Sequence, residues 1–222
     1  MKRHKTARPF TLIELIAVMG VMILLAAVAI PAYSSLFAGR KTTLAANQLN
    51  GAIMEARAHA VSAKVYTALV FAKDGNGLKS FRMAEVYHDS ESETSGYAWR
   101  RWAPGTAFVL LPENTMIPDT NDNFGMTTGG SEGDEGSSAP KKVSGVPKKD
   151  LPGSTATTGT ESEKAIIFKP NGQLAGTENK NMVVRFVETN RYDAPNGKTN
   201  APKLPLNINW LTCKTKFLDP VE

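Results

Sequence analysis

Hydrophobic and polar positions along the chain change period twice, and each change predicts a different element. Between Leu15 and Ala38 no residue is charged, a run longer than the roughly 20 apolar residues a helix needs to cross a hydrocarbon core. Beyond it, Leu49, Ile53, Ala56 and Ala60 recur at the i, i+4, i+7, i+11 spacing of one helix face, while Arg40, Lys41, Asn47, Asn50 and Glu55 lie off that stripe. A single helix from about Phe10 to Ser62 would be about 80 Å long. Its first half is expected to face lipid or neighbouring helices, and its second half to pack on its own domain.

From Lys64 the period shortens. "KVYTALVF" (64–71) and "KSFRMAEVY" (79–87) flank the turn signal Asp74-Gly75-Asn76-Gly77 and read as a β-hairpin. Further strand candidates are "YAWRRW" (97–102), "TAFVLL" (106–111), "KAIIFKP" (164–170) before Asn171-Gly172, "NMVVRFVE" (181–188) and "LNINWLTCKTKFL" (206–218). The expected fold class is α+β: a long N-terminal helix, transmembrane in its first half and amphipathic in its second, packed on an antiparallel β-sheet. Between Pro118 and Glu163 the chain turns to Gly, Ser, Thr, Pro, Lys and acidic residues with few apolar side chains. Such a tract buries too little to offset its ordering entropy, so 119–163 is expected to be a mobile insertion in a surface loop of a globular domain, 38–222.

Charge adds direction. The formal net charge is +5, but Lys2, Arg3, Lys5 and Arg8 all precede the apolar run; without them 22 basic residues face 21 acidic ones. The basicity therefore speaks of targeting more than of a nucleic-acid ligand. A basic cluster ahead of the run holds the leader in the cytoplasm and puts residues after about 38 on the other side. Cys213 is the only cysteine, which excludes an intrachain disulfide.

Three readings of the first 38 residues compete: a plain signal anchor, a secretory signal peptide cut after Ala29 within "LLAAVAIPAY", and a more specialised leader. Glu14 separates them. A carboxylate at the start of an apolar run is costly in hydrocarbon and marks a function, unless it reaches water at the cytoplasmic interface.

The string Phe10-Thr11-Leu12-Ile13-Glu14-Leu15, after a short basic leader and before about 20 apolar residues, resembles the prepilin-type N-terminal motif of type IV pilins and type II secretion pseudopilins. The resemblance implies a leader at 1–9 and an assembly helix at 10–37. It also implies cleavage between Pro9 and Phe10 by a membrane-embedded prepilin peptidase, and N-methylation of Phe10. Glu14 becomes the fifth residue of the mature chain and the partner of a neighbouring subunit's terminal amine in a helical filament. Pro9 departs from the usual Gly or Ala at that position. Pro31 matches the helix-distorting proline that pilins commonly carry, and proline in a helix interior costs about 3 kcal/mol.

Four later strings, "ANQLNGAIMEARAHAVS", "FVLLPENTMIP", "AIIFKPNGQLAG" and "NINWLTCKTKF", resemble H-type minor pseudopilins and the related FimT-like minor pilins (the GspH/FimT-like group). Cys213 stands where that group tends to carry Gly. The implied function is a structural subunit, a minor pseudopilin of a type II secretion pseudopilus; the alternative is a minor type IV pilin with a DNA-uptake or surface-binding role. The implied partners are prepilin peptidase, other pilins and an inner-membrane assembly platform. The implied location is the inner membrane, with the N-terminus cytoplasmic and the domain periplasmic.

Catalytic chemistry is not expected, and neither is a cofactor or metal. His88 beside Asp89 reads as a solvated strand end. Asp119, Asn121 and Asn123 alternate like calcium ligands, but position twelve of that loop is Gly130 rather than an acid. "YAWRRWAP" interleaves Tyr97, Trp99 and Trp102 with Arg100 and Arg101, a pattern used on single-stranded nucleic acid. On a regular strand Tyr97, Trp99 and Arg101 share one side, which points to sheet packing. Arg100, Arg101, Lys141 and Lys142 are the candidate DNA contacts, against the near-neutral balance of the mature chain.

Overall fold

The computed structural model describes residues 11–74, 77–88, 96–119, 126–128, 141–175, 180–189, 192–193, 198–199 and 204–218, without the side chains of 28–39, 126–128, 192–193 and 198–199. The chain divides into two units, Met1–Arg40 and Lys41–Glu222. Helix α1 (Leu12–Ala63) begins in the first. It passes Pro31 without ending. Leu12, Ile13, Leu15, Ile16 and the large apolar residues on to Leu25 are all exposed. Among the described residues no helix is long and apolar enough to cross a membrane. Of the expected span 10–37, Phe10 and the side chains beyond Ala27 lie outside them, as does Pro9.

Among the described residues the second unit holds the rest of α1 and thirteen strands: β1 (Tyr66–Asp74), β2 (Gly77–His88), β3 (Tyr97–Trp102), β4 (Val109–Leu110), β5 (Thr115–Pro118), β6 (Met126–Thr128), β7 (Lys142–Pro147), β8 (Thr160–Phe168), β9 (Met182–Glu188), β10 (Tyr192–Asp193), β11 (Lys198–Thr199), β12 (Leu204–Ile208) and β13 (Thr215–Phe217). Strands β1 and β2 form the expected antiparallel hairpin. Strand β1 also pairs β8, β8 pairs β7, β7 bridges β3 in parallel at Ala98 and Ser144, and β3 returns to β2. Five strands thus close a circuit. From β2 the sheet continues through β5 to β9, β12 and β13, with β4 on β2 and β6 on β9; β10 and β11 pair apart.

This topology explains why β1 reads as a nearly unbroken apolar run. Leu69 and Phe71 face α1, where they join Leu49, Ile53, Ala56 and Ala60 in one core. Ala68, Val70 and Ala72 face into the five-strand circuit with Ala84, Val86, Ala165 and Ile167. A strand buried on both faces loses its polar alternation, and the alanines fit the narrow interior of a small barrel.

The tract expected as a mobile insertion is corrected in part. Residues 142–150 and 160–163 are strand β7, a 3-10 turn (Lys148–Asp150) and the start of β8. Val143 and Val146 are fully buried and close the circuit. They are separated by a register shift at Ser144 and Gly145, the latter at φ +77°, so the two valines do not stand at the i, i+2 spacing that signals a strand. Residues 120–125 and 129–140 of that tract lie outside the described set.

Candidate functional site

Helix α1 starts with a reciprocal cap that the sequence reading overlooked, although Thr11-x-x-Glu14 is its signature. The Thr11 backbone N–H and hydroxyl each donate to Glu14 Oε2 at 2.9 Å, and the Glu14 N–H donates to Thr11 Oγ1 at 3.3 Å. This satisfies donors that the first helical turn otherwise leaves open. Among the described residues, Glu14 Oε1 has no hydrogen-bond partner, so the exposed carboxylate caps its own helix with one oxygen and presents the other.

Further along α1, Arg57 joins two distant turns to the helix. Its Nε donates to the Gly172 carbonyl at 3.1 Å and its Nη1 to the Thr212 carbonyl at 2.6 Å. The Cys213 thiol donates to the same Gly172 oxygen at 3.2 Å. The helix end, the Pro170–Gly172 turn and the "WLTC" turn therefore meet at one guanidinium. Two of the residues there are left-handed: Gly172 at φ +81° and Cys213 at φ +53°. A glycine-favouring backbone at 213 is thus occupied by a buried cysteine. The expected last strand, 206–218, is split by this turn into β12 and β13.

In β3 the alternation fails at Arg100. Val86 lies opposite Trp99 and Glu85 opposite Arg101, so Arg100 is an extra residue, a β-bulge. The phase reverses there. Trp102 joins Tyr97 and Trp99 on the circuit side, with its Nε1–H donating to Asp150 Oδ2 at 2.8 Å. Arg101 swings to the α1 side and grips Glu85. This corrects the expectation that Tyr97, Trp99 and Arg101 share a face. His59 of α1 reaches the same carboxylate, Nε2 to Oε1 at 3.8 Å, and its Nδ1 lies 3.3 Å from Thr67 Oγ1. The hydrogen bonds from Arg101 outweigh burial and hold the Glu85 carboxyl below its usual range. Of the candidate DNA contacts, Arg101 is therefore committed, Arg100 stands exposed on the bulge, and exposed Lys141 and Lys142 lead into β7.

The remaining polar candidates are paired or packed. Asp119 lies 3.0 Å from Lys73 Nζ and 2.6 Å from Lys164 Nζ. Burial works to raise its carboxyl, and the two ammonium groups overcome this and lower it. Nearby Glu163 is pushed up to about 7, by burial first and then by Glu161 and Asp119. His88 packs edge-on against Tyr97 with ring centres 5.1 Å apart. Among the described residues no cluster of His, Cys, Asp and Glu is arranged to hold a metal.

Comparison with solved structures finds similarity to the type IV minor pilin FimU of Pseudomonas aeruginosa, at 14% identity and a TM-score of 0.41, covering 84% of this chain and 97% of that one. The minor pseudopilin EpsH from the type 2 secretion system of Vibrio cholerae is similar at 11% identity and a TM-score of 0.43, covering 82% and 98%. No protein-family model matches the chain, and no curated protein sequence does.

Proposed function

We propose that the chain is a structural filament subunit, a minor pseudopilin of a type II secretion pseudopilus, cleaved between Pro9 and Phe10, N-methylated at Phe10 and assembled through the first half of α1. The observation that carries this reading is the division of labour along one helix. From Leu12 to Ala27 it presents apolar residues, most of them large, and one carboxylate to the outside, with Leu12 at 78% and Leu24 at 70% exposure, whereas Leu49, Ile53, Ala56 and Ala60 are fully buried in the domain. A helix apolar all round needs lipid or other helices as its surroundings. In such surroundings the open Oε1 of Glu14 attracts the amine of a neighbouring Phe10 far more strongly than it would in water. The subunit sits in the inner membrane with its N-terminus cytoplasmic until prepilin peptidase and the assembly platform act on it.

Mass spectrometry of the mature N-terminus, from cells carrying a prepilin peptidase, tests the reading. N-methylated Phe10 is the expected start. A chain beginning at Ile30 would make it a secreted protein, and an intact Met1 a plain anchor; either sinks the filament reading.

A further inference from the structure

We propose that Arg82 is a docking point for a carboxylate, an acidic side chain that a partner protein presents between apolar neighbours. Arg82 stands two residues before Ala84 on β2 and so shares its face of the strand. Its guanidinium carbon lies 4.7 Å from the centre of the Trp102 ring and 5.7 Å from that of Phe108, and the two rings meet edge to face at 5.3 Å. All three side chains are half-buried. An arginine drawn this far out of water is ordinarily paired with an acid. Among the described residues Arg82 has neither a hydrogen bond nor an ion pair. The rings attract its charge but offer no lone pair to its N–H donors.

The way the guanidinium is held selects the shape of its ligand. Nε is enclosed and has no partner, whereas the two Nη nitrogens are not enclosed. A ligand therefore meets the end of the fork, where two N–H donors match the two oxygens of one carboxylate. Packing on Trp102 and Phe108 fixes the arginine in advance, which lowers the ordering cost of binding. Arginine and tryptophan are also the residues that most often carry the energy of a protein interface.

The surroundings decide between a side chain and a free anion. Leu110 lies opposite Ser80 and Val109 opposite Phe81, a register that sets Phe108 and Leu110 on the Arg82 side of the sheet. Leu110 is 66% exposed, so apolar surface continues past the guanidinium and fits apolar residues flanking an acid, which a small free carboxylate would leave uncovered. Other charges limit the ligand to a single negative charge. Asp150 is held 2.8 Å from Trp102 Nε1, and Glu113 lines a cleft with Leu110 and Ser80 to which Arg82 does not contribute. Lys79 is committed to Asp74 at 3.0 Å. One open cation among these carboxylates suits a monoanion and disfavours a phosphate dianion. The site lies wholly within the second unit, so the inference does not depend on how α1 is processed or assembled.

The test uses the full chain in detergent micelles and three probes: a capped peptide with one glutamate between two leucines, the same peptide with glutamine in its place, and acetate. A saturable shift of the Trp102 indole resonance by the glutamate peptide is expected, with the glutamine peptide and acetate each weaker by about tenfold or more. Added salt should weaken the glutamate peptide and leave the glutamine peptide unchanged. Arg82→Gln is expected to abolish binding, with circular dichroism confirming the fold. Arg82→Lys keeps the charge and loses the fork, and should weaken binding by about fivefold or more; it decides the matter if the glutamine variant does not fold. No saturable shift at millimolar peptide, equal binding of the two peptides, or undiminished binding by either variant overturns the proposal. Acetate binding as tightly as the glutamate peptide also overturns it, in favour of a site for a free small anion.

Discussion

Arg101 holds Glu85 through two parallel hydrogen bonds, Nε to Oε2 at 2.8 Å and Nη2 to Oε1 at 2.9 Å, from a position that regular alternation would place on the other face of β3. The carboxylate side chain is 3% exposed, so the pair joins β2 and β3 directly beside α1. Because the Glu85 carboxyl is lowered in the fold, its contribution is present above the unfolded value of about 4.3 and is lost as pH falls through the folded value. Arg101→Met is therefore expected to lower Tm near neutral pH and to lose its effect in acid. Circular-dichroism melts across that range check this; a Tm deficit independent of pH would contradict it.

Glu163 is expected to behave in the opposite sense. Its folded value of about 7 exceeds the unfolded value of about 4.3, so the folded state binds the proton more tightly. The stability this group supplies is complete below about 4.3 and is lost as pH rises through about 7. Glu163→Gln should leave stability unchanged below about pH 4 and raise it by about 2 kcal/mol above neutrality, less than the full linkage value because the side chain keeps some contact with water. Urea unfolding at two pH values decides, and an equal effect at both would count against the assignment.

At Cys213 the usual order of substitutions should invert. Alanine keeps the left-handed strain at φ +53° and loses the buried sulfur. Glycine loses both the side chain and the strain, which for an L-residue is worth roughly 1–2 kcal/mol. Cys213→Gly is expected to equal or exceed Cys213→Ala in stability. Denaturant titrations in which glycine is the worse of the two by about 1 kcal/mol would refute the account.

The contact between α1 and the Pro170–Gly172 turn admits a methyl group only if Val61 or Arg57 shifts by a few tenths of an ångström. A Cβ on Gly172 would lie 3.0 Å from Val61 Cγ2 and 3.1 Å from Arg57 Nε, at φ +81°. Gly172→Ala is expected to destabilise by about 2 kcal/mol or more, from backbone strain and crowding together. Relieving only the crowding, by adding Val61→Ala, should recover less than all of that loss in the same unfolding assay.

Glu14 carries two roles that a single substitution can separate. Glutamine preserves the reciprocal cap with Thr11 but removes the charge, whereas leucine removes both. If assembly needs the charge, Glu14→Gln and Glu14→Leu both insert in the membrane and both fail to co-purify with partner pilins. Normal co-assembly of Glu14→Gln would assign the residue to helix capping alone.

How much of this was legible in the chain depends on the range over which each feature is set. The stripe Leu49, Ile53, Ala56, Ala60 was legible because helical periodicity is local, and so was the hairpin around 74–77, whose turn chemistry is local too. Arg57, His59 and Thr11 were passed over for different reasons. The Thr11-x-x-Glu14 spacing was readable and went unused. Arg57 sits in a helix like any surface arginine until Gly172 and Thr212 are brought beneath it from more than a hundred residues away. Arg101 was assigned to the wrong face because one bulged residue at Arg100 reverses every position after it.

The sequence by itself determined a long helix with an apolar first half, an amphipathic second half, and a carboxylate at its start beside a basic leader. Those are properties of neighbouring residues, fixed by the helical repeat and by the cost of charge in an apolar run. Only the tertiary structure decided that β7 closes a five-strand circuit and that Arg101 belongs to Glu85. Each of these depends on the register between strands far apart in the chain, which a one-residue shift would reverse and which no local pattern records.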